Sequence, residues 1–222
     1  MGIDSGISAE GNVNMLQRLV VHRPARLGEA LTVKGEIKSV TAVPRGQRVE
    51  TDVWFEDLAG ERVISCPRTS LRPQAQAQSK SGAGDKPQPV VGDVAALLLH
   101  HTYQLTPDRV KSYSVEGNSI HYEQEAAERA GFRAPLIGGG MGVHYLTAQM
   151  WQDRRPSFFD VSIYFRRPIF WDEAVQVGVI EDGGNWSVMG LLKLPLAAER
   201  VGTSSEVAKV GTELSIADYR LA

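Results

Sequence analysis

The sequence predicts an α+β protein in which an antiparallel sheet wraps around one long helix, with a second sheet packed alongside. Three observations lead to this prediction, of which the first two are that one strand pattern occurs twice along the chain and that helical patterns lie only between the two copies. A third is a stretch rich in Gln, Ser, Gly, Pro and Ala, residues 72–92, which separates the copies and is typical of a flexible tether.

The repeated pattern is clearest around two Arg-Pro pairs. The segment from His22 to Glu29 resembles that from Arg166 to Glu173, with the two prolines 144 residues apart. Apolar residues at spacing two flank both segments, as expected for half-buried antiparallel strands whose alternate side chains face a core. They are Met15, Leu19, Val21, Leu31 and Val33 in the first copy, and Phe159, Ile163, Phe165, Val175 and Val177 in the second. We therefore expect hairpins in both copies.

Helical signals precede the second copy only. Thr106 and Pro107 can cap and start a helix over residues 107–113. Residues 122–130 are good helix formers, and Gly131 would end that helix. Residues 139–151 carry an apolar stripe at helical spacing. The chain is thus predicted to contain one complete unit and one that lacks its helical half. We place the incomplete unit at 1–75, the linker at 76–94 and the complete domain at 95–222.

Composition restricts the partners and the location. The formal net charge of −2 is spread along the 222 residues, so no basic surface for nucleic acid is expected. Cys66 is the single cysteine and cannot form an internal disulfide, which favours a reducing compartment. The chain start lacks a signal-peptide pattern, and no apolar run approaches the roughly 20 residues that span a bilayer. We expect a cytoplasmic protein with no membrane partner.

The residues that carry chemistry lie between 112 and 141. Residues 112–121 read Ser-Tyr-Ser-Val-Glu-Gly-Asn-Ser-Ile-His, and residues 135–141 read Pro-Leu-Ile-Gly-Gly-Gly-Met. The arrangement resembles the motif of MaoC-like (R)-specific enoyl-CoA hydratases and dehydratases, of the hotdog superfamily. In that family the motif begins with Asp-x-Asn-Pro-apolar-His. A short helix and a Gly-Phe pair follow, and then Pro-apolar-apolar-His-Gly, which starts the central helix. The positions that match are Asn118, Ile120, His121, Ala127, Gly131, Phe132, Pro135 and Gly139.

Three positions differ from the family pattern: Glu116 replaces the usual Asp, Ser119 replaces Pro, and Gly138 replaces a frequent His. The resemblance covers about residues 100–212. Residues 13–71 resemble the hairpin part of a second hotdog unit. It implies a hotdog fold in a double-hotdog arrangement whose first unit is incomplete. In two-unit members of the family, the degenerate half accommodates the acyl chain and the other half carries the catalytic dyad.

The activity implied by the resemblance is reversible hydration of a 2-enoyl thioester to an (R)-3-hydroxyacyl thioester. This chemistry needs one group that takes a proton from water and another that supplies one to the α-carbon, so two titratable side chains must face one water. Glu116 and His121 fit these roles, and the sequence leaves open which of them is the base. The resemblance places the oxyanion donor at the backbone of Gly139. Asn118 is expected to orient the site, and the predicted substrate-binding residues are Tyr113, Ile120, Gly138 and Gly140.

Two alternatives remain open at this point. The chain could be a non-catalytic hotdog subunit that binds acyl thioesters or scaffolds a partner, or it could be a hotdog acyl thioesterase. In each case we expect a coenzyme A or carrier-protein thioester as ligand, and neither a metal nor a redox cofactor. Because the incomplete unit would leave an apolar face bare, we also expect a homodimer or a heteromeric hotdog partner.

Overall fold

The structure of the chain is a computed structural model that describes residues 12–73, 90–114, 117–182, 185–194 and 210–214. Within these residues, ten strands pair into one antiparallel sheet, and the longest helix packs on one face of it. Each half of the sheet comes from one of the two predicted units.

The first half of the sheet contains strands and no helix in the part of the chain that the structure describes. Its strands are β1 (Val13–Val21), β2 (Thr32–Val43), β3 (Gly46–Glu56), β4 (Arg62–Ser65) and β5 (Arg68–Pro73). The apolar residues Val33, Ile37 and Val40 of β2, at the outer edge, are about half exposed. Among the described residues, the first half of the sheet therefore has apolar side chains exposed on its outer strand, and its status as an incomplete unit stays a prediction.

The second half of the sheet carries all the described helices. Its elements are β6 (Leu98–Gln104), α1 (Pro107–Ser114), α2 (Gln124–Arg129), α3 (Gly139–Asp153), β7 (Phe159–Phe165), β8 (Ala174–Asp182), β9 (Asn185–Leu194) and β10 (Val210–Leu214). The three predicted helices are thus observed, with ends shifted by a few residues. None of the described helices is long and apolar enough to cross a membrane.

Local chemistry explains where the short helices begin and end. Thr106 Oγ1 caps α1 by accepting a hydrogen bond from the backbone N–H of Arg109 at 3.3 Å, and Pro107 occupies the first helical position. After α2 the chain turns at Gly131, whose φ of +85° is a conformation that favours glycine. These contacts fix the start of α1 and the end of α2.

The two halves join edge to edge through β1 and β7. The strand order is β2-β3-β4-β1-β7-β10-β9-β8-β6, with β5 beside β1 and β3. The expected second sheet is therefore continuous with the first and does not form a separate layer. The 144-residue repeat places residue 18 on residue 162, and Arg18 pairs directly with Ser162. An approximate two-fold axis passes through this pair.

The main core lies between α3 and the second half of the sheet. Four residues of α3 face it, and β7, β8 and β9 supply a continuous apolar surface opposite. The buried helix residues are Met141, Tyr145, Leu146 and Met150, and the strand residues include Val161, Ile163, Val175, Val177, Val179, Met189 and Leu191. This packing fixes the start of α3 relative to the loops around it.

The predicted linker, residues 76–94, lies mostly outside the described residues. Of its described end, Val91 is fully buried and packs with Leu97 and Leu192 in a small second cluster. Asp93 caps the following short 3₁₀ turn through the backbone N–H of Ala95. The end of this segment is therefore anchored to the second half of the sheet.

Candidate active site

The loop that follows α1 contains a short 3₁₀ turn at Ser119–His121. Asn118 is buried and caps this turn, because its Oδ1 accepts a hydrogen bond from the backbone N–H of Ile120 at 3.4 Å. Its Nδ2 donates to the backbone oxygen of Asn12 at 3.2 Å, in the first unit. Asn118 thus orients the loop and also ties it to the start of β1.

His121, at the end of this turn, has a defined orientation. Its Nδ1 lies 2.9 Å from the backbone oxygen of Leu136. A carbonyl oxygen can only accept a hydrogen bond, so Nδ1 carries the proton. Burial lowers the pKa of His121 below its ordinary value, which favours the uncharged ring. Its Nε2 then has a free lone pair and can accept a proton.

Nε2 of His121 lies beside the start of α3. A Cβ atom placed on Gly138 would lie 3.7 Å from this Nε2 and 3.6 Å from Oγ of Ser114. Gly138 is the N-cap of α3 and makes no side-chain capping hydrogen bond. The site therefore brings together an imidazole, a hydroxyl group and the amino end of a helix.

The first N–H groups of α3 are the donors of this site. Met141 and Gly142 donate their N–H groups to the Gly138 oxygen, at 3.0 and 3.4 Å. Gly139 and Gly140, which come first, have no acceptor within the helix by its geometry. Their N–H groups and the helix dipole favour a negatively charged or carbonyl oxygen at this end.

The three glycines differ in how closely other groups approach them. At Gly139, a Cβ atom would lie 2.6 Å from Nδ2 of Asn14 and 3.1 Å from Cζ of Phe165, so a side chain does not fit. At Gly140, the nearest atom would be Oη of Tyr113 at the ordinary contact distance of 3.5 Å. Burial raises the pKa of Tyr113, which keeps its hydroxyl group protonated and able to donate.

Most of the predicted site residues thus lie around the start of α3. His121, Gly138, Gly139, Gly140 and Tyr113 surround it, and Asn118 supports the loop. Ile120 is buried, and its backbone oxygen accepts a hydrogen bond from the N–H of Leu136 at 3.3 Å. Glu116, the predicted carboxylate of the dyad, lies outside the described residues, and its role stays a prediction.

Three side chains of the site were missed from the sequence: Asn14, Ser114 and Phe165. Ser114 could have been found, because it ends α1 two residues before Glu116. Asn14 comes from the first unit, and nothing near it in the sequence resembles an active-site motif. Phe165 matches the predicted strand pattern but was assigned to the core alone.

His100 and His101, which are adjacent in the sequence, take part in packing. Nδ1 of His100 lies 3.2 Å from a carboxylate oxygen of Asp153, and its ring contacts the edge of Trp186. The ring of His101 packs against that of Tyr103. Both histidines lie on β6.

The class of protein defined by this fold is the double hotdog: two sheet units joined into one antiparallel sheet, with a long helix packed on it. No family model matches the sequence, and no curated protein matches it. The fold is therefore established from solved structures.

Among these, the chain is similar to HtdX from Mycobacterium tuberculosis, with a TM-score of 0.72, 19% identity, and coverage of 96% of this chain and 79% of that one. It is similar to a MaoC-like dehydratase from Phytophthora capsici, with a TM-score of 0.67, 18% identity, and coverage of 98% and 72%. A third is a Mycobacterium tuberculosis protein described as having a double hotdog fold, with a TM-score of 0.57, 14% identity, and coverage of 91% and 75%. At these identities the likeness establishes the fold.

Proposed function

We propose that the chain catalyses the reversible hydration of a 2-enoyl thioester to a 3-hydroxyacyl thioester. The observation that carries this proposal is the uncharged His121, whose Nε2 faces the start of α3 while Nδ1 is bonded to the Leu136 oxygen. A proton acceptor beside N–H groups that have no acceptor within their own helix suits a reaction that activates water next to a carbonyl group. The similar Phytophthora protein is described as a dehydratase, which names the reverse direction of this reaction.

In the hydration direction, Nε2 of His121 takes a proton from water as the water oxygen bonds to C3 of the substrate. The electron pair of the C2–C3 double bond shifts toward the thioester and forms an enolate. Glu116, the other member of the predicted dyad, acts as the acid and gives a proton to C2, and the imidazolium then returns its proton to the carboxylate. No atom is gained or lost besides the added water. His121 is the base in this direction, a role that the sequence left open.

The enolate oxygen carries the charge that develops during this step. We place it against the Gly139 N–H, where the helix dipole also favours negative charge. The hydroxyl groups of Ser114 and Tyr113 lie against the neighbouring glycines, Gly138 and Gly140, and contribute to the walls of the site. Coenzyme A or a carrier protein would carry the acyl group, and the chemistry requires no metal or redox cofactor.

The test is a direct assay of enoyl absorbance with crotonyl-CoA and longer analogues. Removing a general base costs about 10²–10⁴-fold in rate, so His121→Ala should lose activity by that factor. His101→Ala is the matched control, because His101 is exposed on β6 and packs only against Tyr103 in the described contacts. Equal rates for the wild type and His121→Ala would reject the proposal. Release of free thiol in place of enoyl loss would identify a thioesterase.

The assembly state stays a prediction. Val33, Ile37 and Val40 leave apolar surface exposed on the first unit, which is consistent with a homodimer or a second hotdog subunit. Light scattering after size exclusion would check this, and a monomer at high concentration would contradict it.

A further inference from the structure

In β1, the alternation of side chains between the two faces of the sheet is interrupted near the start of α3. Asn14 and Leu16 pair with two adjacent residues of β5, so Met15 is an extra residue in β1. A bulge of this kind interrupts the regular alternation of side chains and redirects those beside it. In a regular strand, Asn14 would lie on the face opposite to Leu19, which packs on the core. With the bulge, it reaches the same side as α3.

The Asn14 amide is oriented by a neighbouring strand. Oγ of Ser70 donates a hydrogen bond to Oδ1 of Asn14 at 3.4 Å. Nδ2 is therefore turned toward Gly139, where it lies 2.6 Å from the position that a Cβ atom would occupy. Within the described part of the chain, this Nδ2 has no hydrogen-bond acceptor. A donor of the first unit thus points at the helix start of the second.

Two hydrogen-bond donors are therefore neighbours at the start of α3: Nδ2 of Asn14 lies against Gly139, and the N–H of Gly139 is the first of the helix. Phe165 packs on the same glycine, with its Cζ 3.1 Å from the Cβ position. Donors held in place before the reaction stabilise an oxyanion far more than mobile water does, because they need no reorganisation as charge develops.

We propose that Asn14 is the second hydrogen-bond donor to the thioester oxygen, alongside the Gly139 N–H. This inference rests on the proposed function and adds a catalytic group to it. The donor binds the carbonyl oxygen of the substrate and binds the enolate oxygen more strongly, since that oxygen carries more charge. The first unit then contributes directly to the chemistry, and its edge-to-edge joining to the second unit through β1 and β7 has a functional consequence.

Two substitutions separate this role from a structural one. Asn14→Ala removes the donor, and loss of one oxyanion donor typically costs about 10²–10³-fold in kcat. Asn14→Asp has the same size and keeps an oxygen for Ser70, but it places a carboxylate beside the developing charge. We expect kcat with crotonyl-CoA to fall in the order wild type, Ala, Asp, with little change in KM. Thr41→Ala, an exposed change in β2, is the control for the first unit.

The order of kcat between Asn14→Ala and Asn14→Asp distinguishes a donor role from a structural one. If Asn14 only fills space or supports Ser70, the aspartate variant will be closer to the wild type than the alanine variant, and the inference is wrong. Equal kcat in all three proteins would also reject it.

A second readout does not depend on turnover. Butyryl-CoA lacks the double bond, so its ¹³C-labelled carbonyl can be observed by infrared difference spectroscopy while it is bound. We expect its stretching frequency to be lower in the wild type than in Asn14→Ala, because one hydrogen bond is lost in the variant. The same frequency in both proteins, or no binding of butyryl-CoA to the wild type, overturns the inference. A shifted carbonyl in a wild type that hydrates no enoyl thioester would reject the proposed reaction and leave Asn14 as a donor.

Discussion

Gly139→Ala tests the close approach of the two units at the start of α3. The added methyl group would lie 2.6 Å from Nδ2 of Asn14 and 3.1 Å from Cζ of Phe165. The amide must then move by roughly 1 Å to reach an ordinary contact distance of about 3.5 Å. Overpacking costs about 1–3 kcal/mol and the better helix propensity of alanine returns up to about 1 kcal/mol, so we expect a net loss of about 1 kcal/mol. A displacement of about 1 Å in a site can cost about 10²-fold in rate.

The measurement is urea unfolding together with the crotonyl-CoA assay. Gly92→Ala is the matched control, because a Cβ atom there would meet nothing within 4 Å. Combining Gly139→Ala with Asn14→Ala removes one of the clashing groups, so the double variant should be more stable than the sum of the single effects predicts, by about 0.5–2 kcal/mol. The reasoning is refuted if Gly139→Ala is as stable and active as Gly92→Ala, or if the two effects simply add.

Two further predictions concern the loop before α3. Because burial lowers the pKa of His121 below 6.5 and the base must be uncharged, the acid limb of kcat/KM should fall below pH 6.5. The His121 ring binds a proton more readily in the unfolded chain than in the folded one, so the free energy of unfolding should decrease as the pH drops through 6.5. His121→Ala should weaken this pH dependence, and an identical dependence in both proteins would contradict the reasoning. At Asn118, alanine removes both the cap on Ile120 and the bond to Asn12, whereas aspartate keeps the cap. Thermal unfolding should show a loss of about 1 kcal/mol for Asn118→Ala and a smaller one for Asn118→Asp, and equal losses would count against the capping role.

Much of the fold could be predicted because its signals are local. The helix predicted over 139–151 is observed as Gly139–Asp153, and the glycine predicted to end the second helix has the required positive φ. Alternating apolar residues identified β1 and β7 and their repeat. The pairing of these two strands could not be predicted in the same way, because it joins residues more than a hundred positions apart and depends on the register of both.

The candidate site was predicted in part for the same reason. His121 and Gly139 belong to a motif with fixed spacing, and the structure brings them to the same place. The protonated nitrogen of His121 depends on the Leu136 oxygen, a contact made only in the folded chain. Asn14 depends on a bulge at Met15, and a one-residue change in strand register leaves no mark in the local sequence.

The most direct measurement is long-range ¹H–¹⁵N NMR of the His121 ring at neutral pH, with His121→Ala to assign its signals. The structure predicts a protonated Nδ1, an Nε2 without a proton, and a titration midpoint below 6.5. Addition of butyryl-CoA should shift the Nε2 resonance. A proton on Nε2 of the neutral ring, or an imidazolium that persists at neutral pH, would show that His121 cannot be the base.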